Sequence, residues 1–167
     1  MTDLRTPTHN DEAERSMLGA CYLTDGALER ARSICKPCDL YLEGHRHIYK
    51  AMIAAHEEHG RIDTILVSDE LHARGLLDAV GGFAAVAKLA DEVPSAANVE
   101  LYATVVTRHA RARRLVRDAE RLADDVHTGK ARPEDWTARV RELEHVASEE
   151  ARAGELISWR DATRQAW

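Results

Sequence analysis

Cys35, Lys36, Pro37 and Cys38 form a CxxC, and His45 and His47 follow shortly after it. Two thiolates and two imidazoles are the donor set of a tetrahedral zinc site. The spacing argues against one, because a second CxxC is missing and two histidines two positions apart on a helix point to different sides. We read all four as buried or capping residues in a helix turn, with no metal. His56 and His59 lack the HExxH pattern and its catalytic glutamate, and they stand near a predicted helix end, where cationic side chains are favoured. No GxSxG, no GxGxxG after a strand and no GxxxxGK[ST] occurs in the chain, so no catalytic residue and no cofactor site is assigned. The acidic run Asp11, Glu12, Ala13, Glu14 has the composition of an acidic box in some nucleotide hydrolases. Without a preceding buried strand and a phosphate loop it reads as a helix start, with Asp11 as cap and Glu14 at capping-box spacing.

The other chemical candidate is basic. Arg111, Arg114, Arg117 and Arg121 fall on one face of a long helix, a candidate DNA contact. Asp118 and Asp125 follow Arg114 and Arg121 at i,i+4 spacing, which describes a solvated, partly self-neutralised face. A net charge of -6 also argues against phosphate binding by the surface as a whole.

A helical scaffold must position these residues. Hydrophobic residues make up 44% of the chain with only one Phe, three Trp and four Tyr, and Ala, Leu, Arg and Glu dominate, so the fold class is all-α. Residues 1–9 read as a polar, mobile arm containing Pro7. A first helix then carries Ala13, Met17, Ala20 and Cys21 on its core face, and Asp25 and Gly26 break it. A second helix covers 27–34. A third, over 43–59, turns Ile48, Tyr49, Met52, Ile53 and His56 to the core and ends at Gly60. Asp63 or Thr64 caps a fourth helix carrying Leu66, Val67, Glu70 and Leu71, which Gly75 ends. Gly81 and Gly82 precede an apolar fifth helix over 83–89. Pro94 ends that element and Asn98 caps the long helix.

Residues 98–127 and 134–151, joined by the breaker 128–133, have the pattern of an antiparallel helical hairpin. Tyr102, Val105, His109, Ala112, Val116, Ala119, Ala123 and Val126 recur at coiled-coil spacing and are expected to face Trp136, Val140, Leu143 and Ala147. We assign both stripes to an oligomer interface and flanking Leu115 and Leu122 to partner docking. The organisation is a mobile arm (1–9), a globular bundle of short helices (10–97), a long hairpin (98–153) and a linker-like tail (154–167) with a last short helix capped by Ser158. The three cysteines do not suggest a disulfide framework. The first residues lack the basic start and apolar core of a secretory signal, and no stretch is apolar enough to span a bilayer, so a cytoplasmic protein without membrane contact is expected.

The strings EAERSMLGACYLTDGAL, LYLEGHRHIYKAMIAAHEEHGRIDTILVSDELHARGLL, VGGFAAVAKLADEVPSAANVELYATVV and HARARRLVRDAERL resemble, in order and spacing, the amino-terminal collar domain of DnaB-type bacterial replicative helicases. The resemblance covers residues 10–150. It rests on Glu14 with Leu18 and Gly19, His45 with Ile48, Ile62 with Asp63, Gly81 with Gly82, and Pro94 through Asn98 with Tyr102. Where that family usually has an acidic residue followed by Asp-Phe-Tyr, this chain has Cys38, Asp39, Leu40 and Tyr41, so the CxxC looks like drift within a non-metal pattern.

The resemblance implies a non-catalytic module in DNA replication. Its hairpins would pair into dimers, three dimers would form the collar of a ring, and the collar would receive the helicase-binding domain of primase and a helicase loader. ATP and Mg would belong only to the family's RecA-like ATPase domain, which is absent from this chain. The alternative is a free-standing regulator of that kind, or a DNA-binding module using the arginine face.

Overall fold

Asn10 starts the first helix. Its side chain accepts a hydrogen bond from the Ala13 N–H at 2.9 Å, the N-cap geometry, and α1 runs Asp11–Leu23. The cap therefore lies one residue before the expected Asp11. Glu14 takes no part in a capping box and turns into the protein instead. The computed structural model describes residues 7–24, 26–91, 96–130, 132, 134–145 and 148.

The remaining elements in chain order are α2 Ala27–Ile34, a 3-10 turn Pro37–Asp39, α3 Glu43–His59 and α4 Thr64–Ala73. A 3-10 turn Asp78–Val80, α5 Gly82–Asp91, a 3-10 turn Ala96–Asn98 and α6 Val99–His127 follow. Residues 134–145 are again helical and are called α7 here. Helix ends follow local chemistry. Gly60 closes α3 in the left-handed conformation, its N–H donating to the His56 carbonyl. The Asp63 side chain caps α4 by accepting from the N–H groups of Ile65 and Leu66 at 2.9 and 2.8 Å. The described residues are all-α, as composition predicts.

The chain divides after Ala110 into two compact units. In the first, α1 packs on α2, α3 and α5, and α4 packs on α3 and α5. The side chains of Met17, Leu18, Leu40, Tyr49, Met52, Val67, Leu71, Val86 and Val99 are fully buried. Each such residue contributes on the order of 1.5–3 kcal/mol before chain entropy is counted. The expected core face of α1 is buried throughout, together with Glu14, Leu18 and Gly19.

Three details differ from expectation. His56, placed on the core side, is half-buried and pairs with Glu29 instead. Residues 7–9, expected in a mobile arm, hold onto the bundle through Thr8 and His9. The division after Ala110 replaces the expected boundary between 97 and 98, because the first third of α6 belongs to the bundle's core: Val99, Ala103, Val106 and Ala110 are all buried. The predicted tail 154–167 and its last helix lie outside the described residues.

Candidate functional site

Two places in the molecule stand out: a buried carboxylate inside the first unit, and exposed apolar side chains in the second. The carboxylate is Glu14, with 1% of its surface exposed. Oε1 accepts from the Tyr41 N–H, while Oε2 accepts from the Leu42 N–H at 3.3 Å and lies 2.8 Å from His45 Nδ1. Leu42 precedes α3 and has no side-chain cap of its own, so a residue on α1 supplies the acceptor for the start of α3. The partial positive charge at that helix start favours an anion there. Burial by itself would push the Glu14 carboxyl up, but the His45 hydrogen bond and those from Tyr41 and Leu42 hold it below the usual range.

The four residues of the CxxC and its following histidines have other surroundings in the structure. His45 is committed to Glu14, and His47 Nε2 lies 3.6 Å from Glu43 one turn earlier. Cys35 is buried, and that burial pushes its thiol up to about 12, while Cys38 is exposed. Among the described residues no cluster of His, Cys, Asp or Glu is placed to hold a metal ion. Sequence reading missed Glu14 as an organising residue because its capping-box spacing supplied a sufficient local explanation.

The predicted seam on α6 separates into two parts. In the first unit the fully buried stripe is Val99, Ala103, Val106 and Ala110, which also follows four- and three-residue steps but lies about 100° round the helix from the predicted one. Tyr102 and Val105 pack at its margin, partly buried. His109 Nδ1 lies 2.6 Å from the Thr8 hydroxyl. Thr107 is buried beside that stripe and donates to the Ile34 carbonyl at 3.3 Å, seating α6 on the end of α2. A helix rich in Val and Ala carries two adjacent apolar stripes, and periodicity cannot say which one the bundle covers.

In the second unit, Val116 is 54% exposed, Val126 36%, Trp136 39% and Val140 53%. Ala119 and Ala123 are exposed, while Ala112 and Leu115 are partly buried. The two predicted stripes therefore do not cover each other as expected. The cleft between the helices is lined instead by Asp118, Arg121 and Leu122 of α6 with Arg139, Glu142 and Leu143 of α7. It is pinned by Arg139 Nη1 donating to Asp125 Oδ2 at 2.6 Å.

Leu122, expected on a flanking docking surface, lies inside this cleft, and Asp125 pairs with Arg139 in place of the expected Arg121. The physical reason is register: the stripe Leu115, Asp118, Leu122, Asp125 offers partly buried Leu side chains together with the Asp125 carboxylate, which Arg139 of α7 neutralises. Gly129, at φ 68, turns the chain between the helices. Of the arginine face, Arg114, Arg117 and Arg121 are exposed and Arg111 is partly buried. Ala147 lies outside the described residues.

A family model described as DnaB-like helicase N terminal domain matches residues 6–108. The chain is 39% identical over 138 residues to the replicative DNA helicase DnaC of Bacillus subtilis (strain 168), covering 81% of this chain and 30% of that protein. It is 40% identical over 124 residues to the replicative DNA helicase DnaB of Geobacillus stearothermophilus, covering 74% of this chain and 27% of that protein. Among solved structures it resembles the N-terminal domain of DnaB helicase from Mycobacterium tuberculosis, with a TM-score of 0.74 and 30% identity over 86% of this chain and 99% of that one. The chain thus spans less than a third of the length of these two helicases.

Proposed function

This chain belongs to the DnaB-like helicase N-terminal domain family, and on that premise we propose that it is a non-catalytic module that self-associates and docks partners for a replicative helicase. The observation that carries the reading is the exposure of four large apolar side chains in the second unit, Val116, Val126, Trp136 and Val140. Apolar side chains grouped on one small helical unit commonly mark a protein interface. A second copy of the same surface is the occupant, because a symmetric pair buries the same residues twice.

The helicase-binding domain of primase, and a helicase loader, then dock on the assembled hairpins, with Leu115 and the rim of the Leu122 cleft as the contact. That step rests on the family resemblance. ATP and Mg take no part in this chain's role.

Light scattering over a concentration series tests self-association. The native chain is expected as a dimer or higher multiple, and Val116→Asp or Val140→Asp as a folded monomer. A native chain that stays monomeric at high concentration overturns the reading. Docking is tested by calorimetry with the cognate primase domain, where Leu115→Asp is expected to weaken binding at least about tenfold, or about 1.4 kcal/mol.

The exposed arginines Arg114, Arg117 and Arg121 support a second reading, direct DNA contact. Steeply salt-dependent DNA binding without primase binding would favour it.

A further inference from the structure

We propose that a groove on the first unit is a docking site for an acidic peptide segment of a partner protein, one that carries an apolar anchor residue. The groove is bounded by α1, α3, the 3-10 turn Asp78–Val80 and α5, and its volume is about 380 Å³. Its floor is apolar: Leu42 and Val80 are partly buried, Ile48 and Leu89 almost wholly so. A leucine-sized side chain laid on this floor removes apolar surface from water on both sides, the main favourable contribution to most protein association.

Charge selects the occupant. Arg15 of α1 and Lys88 of α5 line the groove, and both are exposed. Lys88 also has an interaction within the chain, and the three N–H donors of an ammonium serve more than one acceptor. Glu43 is the one carboxylate among the described residues that line the groove, and its Oε1 lies 3.6 Å from His47 Nε2, one turn further along α3. The cleft between α6 and α7 sets Arg121 and Arg139 against Asp118 and Glu142, so its charges balance. Two cations against one carboxylate give this groove a local preference for acid, on a chain whose net charge of -6 disfavours acidic segments elsewhere.

The wall on the α3 side is already fixed. Glu14 accepts from the N–H groups of Tyr41 and Leu42, while Arg46 Nε and Nη2 donate to the carbonyls of Leu40 and Tyr41 at 2.6 and 3.2 Å. A loop held at its donors and its acceptors has little freedom left to lose on binding. The site is built from the first unit alone and does not depend on self-association.

The test is an array of short synthetic peptides in which aspartate, leucine, serine and lysine are permuted. The strongest binders are re-measured against the full chain by fluorescence anisotropy at constant ionic strength, with far-UV circular dichroism to confirm that every variant is folded. Those binders are expected to carry leucine flanked by aspartate. Arg15→Glu and Lys88→Glu, both at exposed positions, are each expected to weaken them by about tenfold or more. Glu43→Gln is expected to hold or tighten binding, and Arg121→Glu, in the second unit, to leave it within about twofold. No binder above the serine-only background, equal binding when serine replaces leucine, a preference for lysine, or native-like affinity in Arg15→Glu and Lys88→Glu overturns the proposal. So does a loss of self-association in Arg15→Glu by light scattering, which would give the groove to a second copy of the chain.

Discussion

A carboxylate inside a helical bundle is costly unless donors converge on it, and at Glu14 three do: two backbone N–H groups and the His45 ring. Glu14→Ala should therefore lower unfolding stability by about 3 kcal/mol, since it strands buried donors as well as removing an acceptor. Chemical denaturation measures this. Because the folded carboxyl is held below its ordinary range, its contribution is complete above the unfolded value of about 4.3 and fades as pH falls through the lower folded value. Melting temperatures of the native chain should drop below about pH 4.3 more steeply than those of Glu14→Gln.

Burial also pushes the Cys21 and Cys35 thiols up to about 12, while Cys38 is exposed. A thiol-reactive probe at neutral pH should then label Cys38 alone in the native protein and all three cysteines after denaturation. Mass spectrometry separates the two results.

α6 serves two environments with one sequence. Its 29 residues make a helix of about 44 Å, whose first turns fill the bundle core through Val99, Ala103, Val106 and Ala110, whereas Val116, Ala119, Ala123 and Val126 further along stand exposed. The small Ala103 and Ala110 side chains let the helix approach the bundle closely. Ala103→Leu should consequently overpack the core and cost about 2 kcal/mol, while Val116→Ser at low protein concentration should change stability by no more than about 0.5 kcal/mol. Denaturation midpoints of the two variants test this partition. The opposite order would mean that the bundle uses the predicted stripe after all.

For the molecule as a whole, net charge and apolar surface point to different partners. With a net charge of -6, the isolated chain should not retain a labelled DNA duplex at about 0.15 M salt, where nonspecific binding depends on an excess of cations; fluorescence anisotropy reads this directly. No helix among the described residues is long and apolar enough to cross a membrane.

Helix order and type were determined by the sequence itself. Gly60, Asp63 and the apolar spacing within α1 and α3 act through neighbours three or four residues away, and such local chemistry is written in the chain. The ordered strings that resemble replicative helicases likewise named the family before any geometry was known.

Only the tertiary structure decided which of two adjacent stripes on α6 the bundle buries, that Leu122 and the Asp125–Arg139 pair fill the cleft between α6 and α7, and that Glu14 serves α3 rather than its own helix. Each of these depends on groups far apart in the chain. Glu14 meets His45 across 31 positions, and helical periodicity reports which residues share a face but not what that face will meet.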